Sequence, residues 1–317
     1  MNDQELRSGG PPERFDNTML ATRSTCHRQL YWFLRGLDYK SVPAYFVYGR
    51  AFGTAANVWH SRNGEEPISR LTEALLAAEK IWQEESPIEF EKNTWEDFKS
   101  LFKQYASHYG PTEPWSMIYG KGEKGFSLPM PGAPEGCEYC GAIDAPILWE
   151  PYGMMPREDK TTGSWVNVGY LAQWDFSTQV TGYHWAFETV IGPCAGVYMN
   201  IAGKTPRFEG VGKNKVPAPG LRFNRYLTSR TPDEQKRFVE ETCRLMEEIW
   251  REWDHWNWDK TGKRNPMNCT GGMGKKRCLY SSLCKLDVEP WELEEYNFLD
   301  EFSWRGKWAP WERDGED

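Results

Sequence analysis

The chain has 317 residues, of which 39% are hydrophobic and 15% aromatic, enough to bury a substantial core. A net charge of −8 excludes a surface coated in positive charge, the usual footprint of a nonspecific nucleic-acid binder, but leaves room for a local basic groove. No apolar run reaches the roughly 20 residues of a membrane helix, and Met1 to Phe15 is polar and unlike a signal peptide, so a soluble intracellular protein with no membrane partner is expected.

In chain order, Gly9-Gly10-Pro11-Pro12 reads as part of a flexible lead-in over 1–15. From Ser24 the pattern turns helical: Leu30, Phe33, Leu34 and Leu37 recur at three- and four-residue steps, with Ser24 or Thr25 available as a cap. Helices are expected next at Phe46 to Ser61, Ile68 to Glu85 and Thr94 to Tyr109, the last with an apolar stripe of Trp95, Phe98, Phe102 and Tyr105. A glycine- and proline-rich loop from Gly110 to Gly136 separates this helical part from short extended runs at Gly141 to Glu150 and Met154 to Thr162, read as adjacent strands.

An amphipathic helix follows from about Phe176 to Val190, then strands at Gly196 to Ile201 and near Phe223 to Thr228. Thr231-Pro232-Asp233-Glu234 announces a helix: a capping hydroxyl, a proline in the first turn and acidic residues against the positive helix end. Helices, then strands, then a helix between strands predict an α/β core with helical additions and no internal repeat. One domain is expected over 16–317, with a helical part at 16–110, a core at 111–256 and a cysteine-bearing segment at 257–317. Candidate basic stretches are Arg23, Arg28 and Arg35, Lys204 to Lys215, and Lys275-Lys276-Arg277.

The chemistry-bearing stretch is Gly141-Ala142-Ile143-Asp144 followed by Glu158-Asp159-Lys160-Thr161-Thr162. On neighbouring strands Asp144 and Glu158 converge on one edge, Lys160 shares the face of Glu158, and Asp159 points the other way. Two carboxylates suit a hard ion such as Mg²⁺, and a lysine beside the ion orients water and offsets developing charge. Taken alone the triplet is equally what a chain with 26% charged residues produces as a surface salt bridge.

Together with Ser177-Thr178-Gln179-Val180-Thr181-Gly182-Tyr183, these residues resemble the PD-(D/E)XK nucleases, in particular the RecB-like branch of CRISPR-associated and phage recombination exonucleases. The resemblance implies a restriction-endonuclease-like mixed sheet flanked by helices, with an N-terminal helical insertion. It also implies Mg²⁺- or Mn²⁺-dependent hydrolysis of DNA from an end, with Asp144 and Glu158 on the metal, Lys160 on the water, and Gln179 and Tyr183 one helical turn apart beside the site. A structure-specific endonuclease and a non-cleaving DNA-binding or scaffold module are the alternatives. The branch places a metal-contacting histidine four residues after a glycine; in Gly53-Thr54-Ala55-Ala56-Asn57 that position holds asparagine, and the candidate substitutes are His60, on the same helical face, and Asn57 itself, through its amide oxygen or a water.

Eight cysteines without a secretory signal point to metal binding or buried thiols. The RecB-like iron–sulfur nucleases resemble the arrangement of Cys26 with Cys269-x8-Cys278-x5-Cys284, which implies a C-terminal segment binding a 4Fe-4S cluster through four thiolates. Zinc at the same four positions is the competing reading, and Cys137-x2-Cys140 reads as a pair of ordinary thiols in a turn, although its spacing alone also suits zinc. The resemblance places the protein in the cytoplasm of a prokaryotic or phage-infected cell, with DNA and a recombination or single-strand-annealing protein as partners.

Overall fold

A computed structural model describes residues 11–40, 42–90, 93–118, 122–210, 216–254, 265–270, 278–286, 288, 292–304 and 309–312. The chain begins with β1 (Arg14–Phe15), α1 (Asn17–Thr25), α2 (His27–Leu34) and β2 (Leu37–Tyr39), followed by the helices α3 (Ala44–Ser61), α4 (Pro67–Glu85) and α5 (Trp95–Tyr109). The strands β3 (Ser116–Met117), β4 (Lys124–Pro129), β5 (Glu138–Ile143), β6 (Ala145–Trp149) and β7 (Gly153–Thr162) lead to α6 (Val168–Ala172) and α7 (Thr178–Val190). Then come β8 (Val197–Gly203), β9 (Phe208–Glu209), β10 (Val216–Pro217), β11 (Phe223–Thr228), α8 (Pro232–Asp254), α9 (Pro266–Thr270), α10 (Ser281–Leu286) and β12 (Phe302–Trp304). The class is mixed α/β.

Where the sequence predicts one domain over 16–317, the chain divides into two compact units: Met1–Ser41 with Ser127–Gly141 and Lys236–Pro310, and Val42–Phe126 with Ala142–Gln235 and Trp311–Asp317. The expected helical part at 16–110 is split, because α3, α4 and α5 bury their apolar faces on one another in a single core with Ala202 and Phe223 of the second unit's sheet.

That sheet has five strands in the order β11-β8-β7-β6-β3. β7 and β8 are parallel, with Glu158 opposite Met199 and Lys160 opposite Ile201, and the remaining pairings are antiparallel. Strand periodicity then divides the side chains between two layers. Val197, Met199 and Ile201 pack with Val180 of α7, whereas Ala202 joins the core of α3 to α5. Gly196 at the entry to β8 has φ +152°, and a Cβ there would lie 2.4 Å from the Thr228 carbonyl oxygen, so only glycine fits this approach to β11.

Caps set the helix starts. Thr94 caps α5 through Asp97 N (3.1 Å), and Ser177 caps α7 through Val180 N (3.4 Å). Thr231 and Glu234 form the reciprocal capping box of α8: Thr231 Oγ1 accepts from Glu234 N at 3.2 Å, and Glu234 Oε2 accepts from Thr231 N at 2.8 Å. The expected cap at Ser24 or Thr25 is corrected. Both hydroxyls donate back to carbonyls inside α1, those of Leu20 and Ala21, and the chain breaks at extended Cys26 (φ −162°, ψ 118°) before α2.

The first unit includes α1, α2, α8 from Lys236 onward, α9, α10 and the two-stranded ribbon of β12 with β2, in which Phe302 lies opposite Tyr39. Tyr280 OH donates to Leu37 O (2.9 Å) and Trp250 Nε1 to Pro12 O (2.8 Å), tying late residues to early ones. The early basic stretch proposed for phosphate is buried here. Arg23 pairs with Glu252 at 2.5 Å, Arg28 is 2% exposed, and Arg35 lies over the Tyr31 and Trp253 rings. Lys275-Lys276-Arg277 and residues 211–215 lie outside the described residues. Among the described residues no helix is long and apolar enough to cross a membrane.

Candidate active site

Asp144 occupies the single residue between β5 and β6, and Glu158 and Lys160 sit on β7, the strand antiparallel to β6. The Asp144 carboxylate accepts from the backbone N–H of Asp159 (2.9 Å), which fixes it at the β7 edge. Glu158, 2% exposed, forms an ion pair with Lys160 through Oε1. The Gln179 amide donates to the same Oε1 at 3.2 Å and lies 3.2 Å from the Tyr183 hydroxyl. The structure therefore brings together Asp144, Glu158, Lys160, Gln179 and Tyr183.

The second carboxylate oxygen, Glu158 Oε2, is buried and has no donor. Leaving a buried carboxylate oxygen without a partner costs more than a neutral group would, because the desolvated charge is not offset. Burial, with the charges of Glu158 and Asp159 nearby, pushes Asp144 well above the ordinary carboxylate range, against the pull of Lys160. Burial likewise raises Glu158, with Lys160 opposing. Burial works to lower Lys160, but Glu158 and Asp144 outweigh it and keep the ammonium charged. Two crowded carboxylates, one orphaned oxygen and one nearby cation form a hard-oxygen donor set short of positive charge, as a divalent Mg²⁺ or Mn²⁺ site requires.

Helix α7 is held by Arg230, whose guanidinium donates to Thr181 Oγ1 (2.7 Å), Trp174 O (2.6 Å) and Thr228 Oγ1 (2.8 Å). The anchor fixes the first turns of α7, from which Gln179 reaches Glu158. Replacing Gln179 by alanine is expected to lower cleavage by roughly 10- to 100-fold, the usual cost of losing a group that orients a metal-binding carboxylate. Unchanged turnover by the variant in a DNA degradation assay would remove Gln179 from the site.

On the opposite face of β7 lies a buried polar chain that the sequence did not announce. Arg157 Nη2 donates to Asp159 Oδ2 (2.9 Å) and Asn57 Oδ1 (2.6 Å), and Asn57 Nδ2 donates to the Asp144 carbonyl (3.2 Å). Asn200 Nδ2 donates to Asp159 Oδ1 (2.6 Å) and to Tyr105 OH (2.8 Å), whose hydroxyl lies 2.8 Å from His60 Nε2. Glu113 takes two hydrogen bonds from Arg225, each 2.6 Å. Asn57, in the histidine position of the resemblance, thus braces the backbone of Asp144 from behind.

His60 belongs to this chain, and its expected role as a metal ligand is corrected. It is 1% exposed, its Nε2 is engaged with Tyr105, and Nδ1 faces Glu113 at 3.4 Å. Burial and the surrounding Arg157, Arg225 and Arg70 push its pKa well below the usual value, so the ring is neutral. Asp144, Glu158 and His60 form no three-ligand group within 4.8 Å among the described residues. His60→Ala is expected to cost about 2–4 kcal/mol of stability, through a cavity and unpaired polar partners, and to leave the Mn²⁺ dependence of cleavage unmoved. A shifted metal titration would restore it as a ligand.

In the first unit, Cys278 lies within electrostatic reach of Cys284, Cys269 and Cys26, and burial pushes its thiol up to about 11. Burial also raises Cys284, while the Arg28 guanidinium beside it pulls the thiol back towards ionisation. No three of these sulfurs lie within 4.8 Å of one another. Cys140 is buried in β5 and Cys137 just before it, and burial raises both thiols.

No protein-family model and no curated protein sequence matches the chain.

Proposed function

We propose that this protein is a metal-dependent deoxyribonuclease of the PD-(D/E)XK type, hydrolysing DNA from an end and carrying a 4Fe-4S cluster on Cys26, Cys269, Cys278 and Cys284. The observation that carries the reading is the convergence of Asp144, Glu158 and Lys160 with Gln179 and Tyr183 around a buried carboxylate oxygen that lacks a donor. Exposed salt bridges, the bland alternative for such a triplet, do not bury a glutamate to 2% exposure with one oxygen unserved.

Asp144 and Glu158 would hold a divalent cation, which would supply Lewis-acid chemistry and a water of lowered pKa. The chain's own groups do the rest. The Lys160 ammonium stands beside the carboxylates, where it orients a water and offsets charge building on phosphate oxygens. Gln179 holds Glu158 in its rotamer, Tyr183 holds Gln179, and the Asn57–Arg157–Asp159 chain keeps Asp144 and β7 in register. The cysteine set offers a cluster four thiol donors within one unit, and such a cluster would be structural, joining α1 and α2 to the late helices of that unit.

The deciding experiment is degradation of end-labelled linear DNA and closed circular DNA, each with and without Mn²⁺. Metal-dependent loss of linear DNA, with the circle spared, is expected. Cleavage of the circle would replace the exonuclease by an endonuclease, and binding without cleavage under all metals would leave a DNA-binding module.

A further inference from the structure

At its far end, helix α7 carries a second constellation that the nuclease reading does not use. His184 and Glu188 are one turn apart on α7, and Cys194 lies in the short connection to β8. One potential ligand atom from each, the imidazole nitrogen, the carboxylate oxygen and the thiol sulfur, lies within 4.8 Å of the other two, the one such group among the described residues. His184 Nε2 is 3.5 Å from Glu188 Oε1. The other carboxylate oxygen, Oε2, accepts from Gln235 Nε2 at 2.9 Å, which orients the carboxylate and leaves Oε1 towards the histidine.

His184 supplies the independent sign of a ligand. The ring is 3% exposed, and its nitrogens meet only the Glu188 carboxylate, at 3.5 Å, and the Cys194 backbone, neither as a hydrogen bond of good geometry. A buried imidazole whose nitrogens are only marginally bonded is costly, because one nitrogen bears a proton and the other a lone pair. The surroundings suit a cation: the Glu188 carboxylate, 3.5 Å from His184 Nε2, contributes one negative charge.

We propose that His184, Glu188 and Cys194 form a transition-metal site suited to Zn²⁺, with water from the partly exposed Glu188 side as the fourth ligand. One nitrogen, one sulfur and one carboxylate oxygen make a borderline donor set that Zn²⁺ accepts and that Mg²⁺, which takes oxygen, does not. Binding deprotonates Cys194: the Cys194–H bond breaks, the zinc–sulfur bond forms, and one proton passes to solvent. A bound ion would pin the C-terminal turn of α7 to the start of β8, bracing from its far end the helix that carries Gln179. The site does not depend on the nuclease assignment.

The test uses the full-length protein, stripped with chelator and titrated with Zn²⁺ alone and then with Co²⁺ as its coloured surrogate. Wild type should take up one ion per chain more than Cys194→Ser, and the Co²⁺ difference spectrum between the two should contain thiolate-to-metal charge-transfer absorption. Cys284→Ser should retain that difference. Glu188→Gln, at a partly exposed position, should fold whatever Cys194→Ser does and should weaken Zn²⁺ binding on the order of tenfold, as loss of one charged ligand does. Equal ion content and equal Co²⁺ spectra in wild type and Cys194→Ser, or an unchanged Zn²⁺ titration in Glu188→Gln, would overturn the site and leave His184 as a poorly bonded core histidine.

Discussion

Asp144→Asn is expected to lower cleavage by about a thousandfold or more while making the metal-free protein more stable. The activity loss follows from removing a charged ligand from a site whose electrostatics do most of the work, where even single neutral donors are worth about 10²–10³ in rate. The stability gain follows from the pKa directions. Asp144 and Glu158 are both raised, so between the ordinary carboxylate range near about 4 and their raised values the folded protein binds more protons than the unfolded chain. Stability must then fall as pH rises through that window, where ionising the crowded pair is a cost that a bound cation would relieve. The amide of Asp144→Asn removes one of the two charges without changing the shape of the site.

The measurement is a set of melting curves between pH 4 and 8, with and without Mn²⁺. Wild type should lose stability with rising pH more steeply than Asp144→Asn, and Mn²⁺ should stabilise wild type by about 2.7 kcal/mol at a hundred times its dissociation constant, but the variant far less. Parallel pH profiles, or equal stabilisation by Mn²⁺, would mean that the two carboxylates do not share an ion. Lys160→Ala provides the complement. It should lose activity without gaining stability, because it leaves the carboxylates facing each other with no cation.

The site was legible in the sequence to the extent that period-two alternation and helical spacing govern it. Glu158 and Lys160 share a face of β7, Asp159 points away, and Gln179 and Tyr183 meet one turn apart on α7, as those periods require. What escaped was long-range. Asn57, Tyr105, Arg157 and Asn200 come from four separate elements, and nothing local marks a strand arginine such as Arg157 as 0% exposed rather than solvated. His60 was misread for the same reason: its helical face was right, but Tyr105 and Glu113, dozens of residues away, claim the ring. β4 was hidden in a stretch rich in glycine and proline, where pairing with β5 outweighs local propensity, and the β2–β12 pairing joins chain segments that no local pattern links. The helices of the second unit were the most readable, since Thr94 and Ser177 carry their caps in the sequence itself.

Cys26→Ser and Cys284→Ser are each expected to abolish the brown colour of anaerobically purified protein and to expose both early and late segments of the first unit to protease. The wild type should contain about four irons per chain and absorb broadly as thiolate-ligated iron does. Cys26 and Cys269 are 243 positions apart (269 − 26), so a shared cluster closes a very long loop, and its loss returns the entropy of that loop to the chain. Cys26 stands at the break between α1 and α2, and Cys284 lies within α10, so losing either thiolate should loosen both places together. The buried arginines give a reason for the coupling: Arg28 of α2 stands beside Cys284, and Arg23 of α1 pairs with Glu252 of α8. Cys137→Ser and Cys140→Ser should keep colour and protection, because those thiols are raised by burial in or beside β5 and no third cysteine, histidine or carboxylate gathers with them within 4.8 Å among the described residues. Iron retained in Cys26→Ser but lost in Cys137→Ser would transfer the cluster to the other pair. A colourless wild type whose zinc content falls in both Cys26→Ser and Cys284→Ser would replace the cluster by zinc at the same four positions, a loss separable from the Cys194-dependent zinc because each variant removes only its own ion.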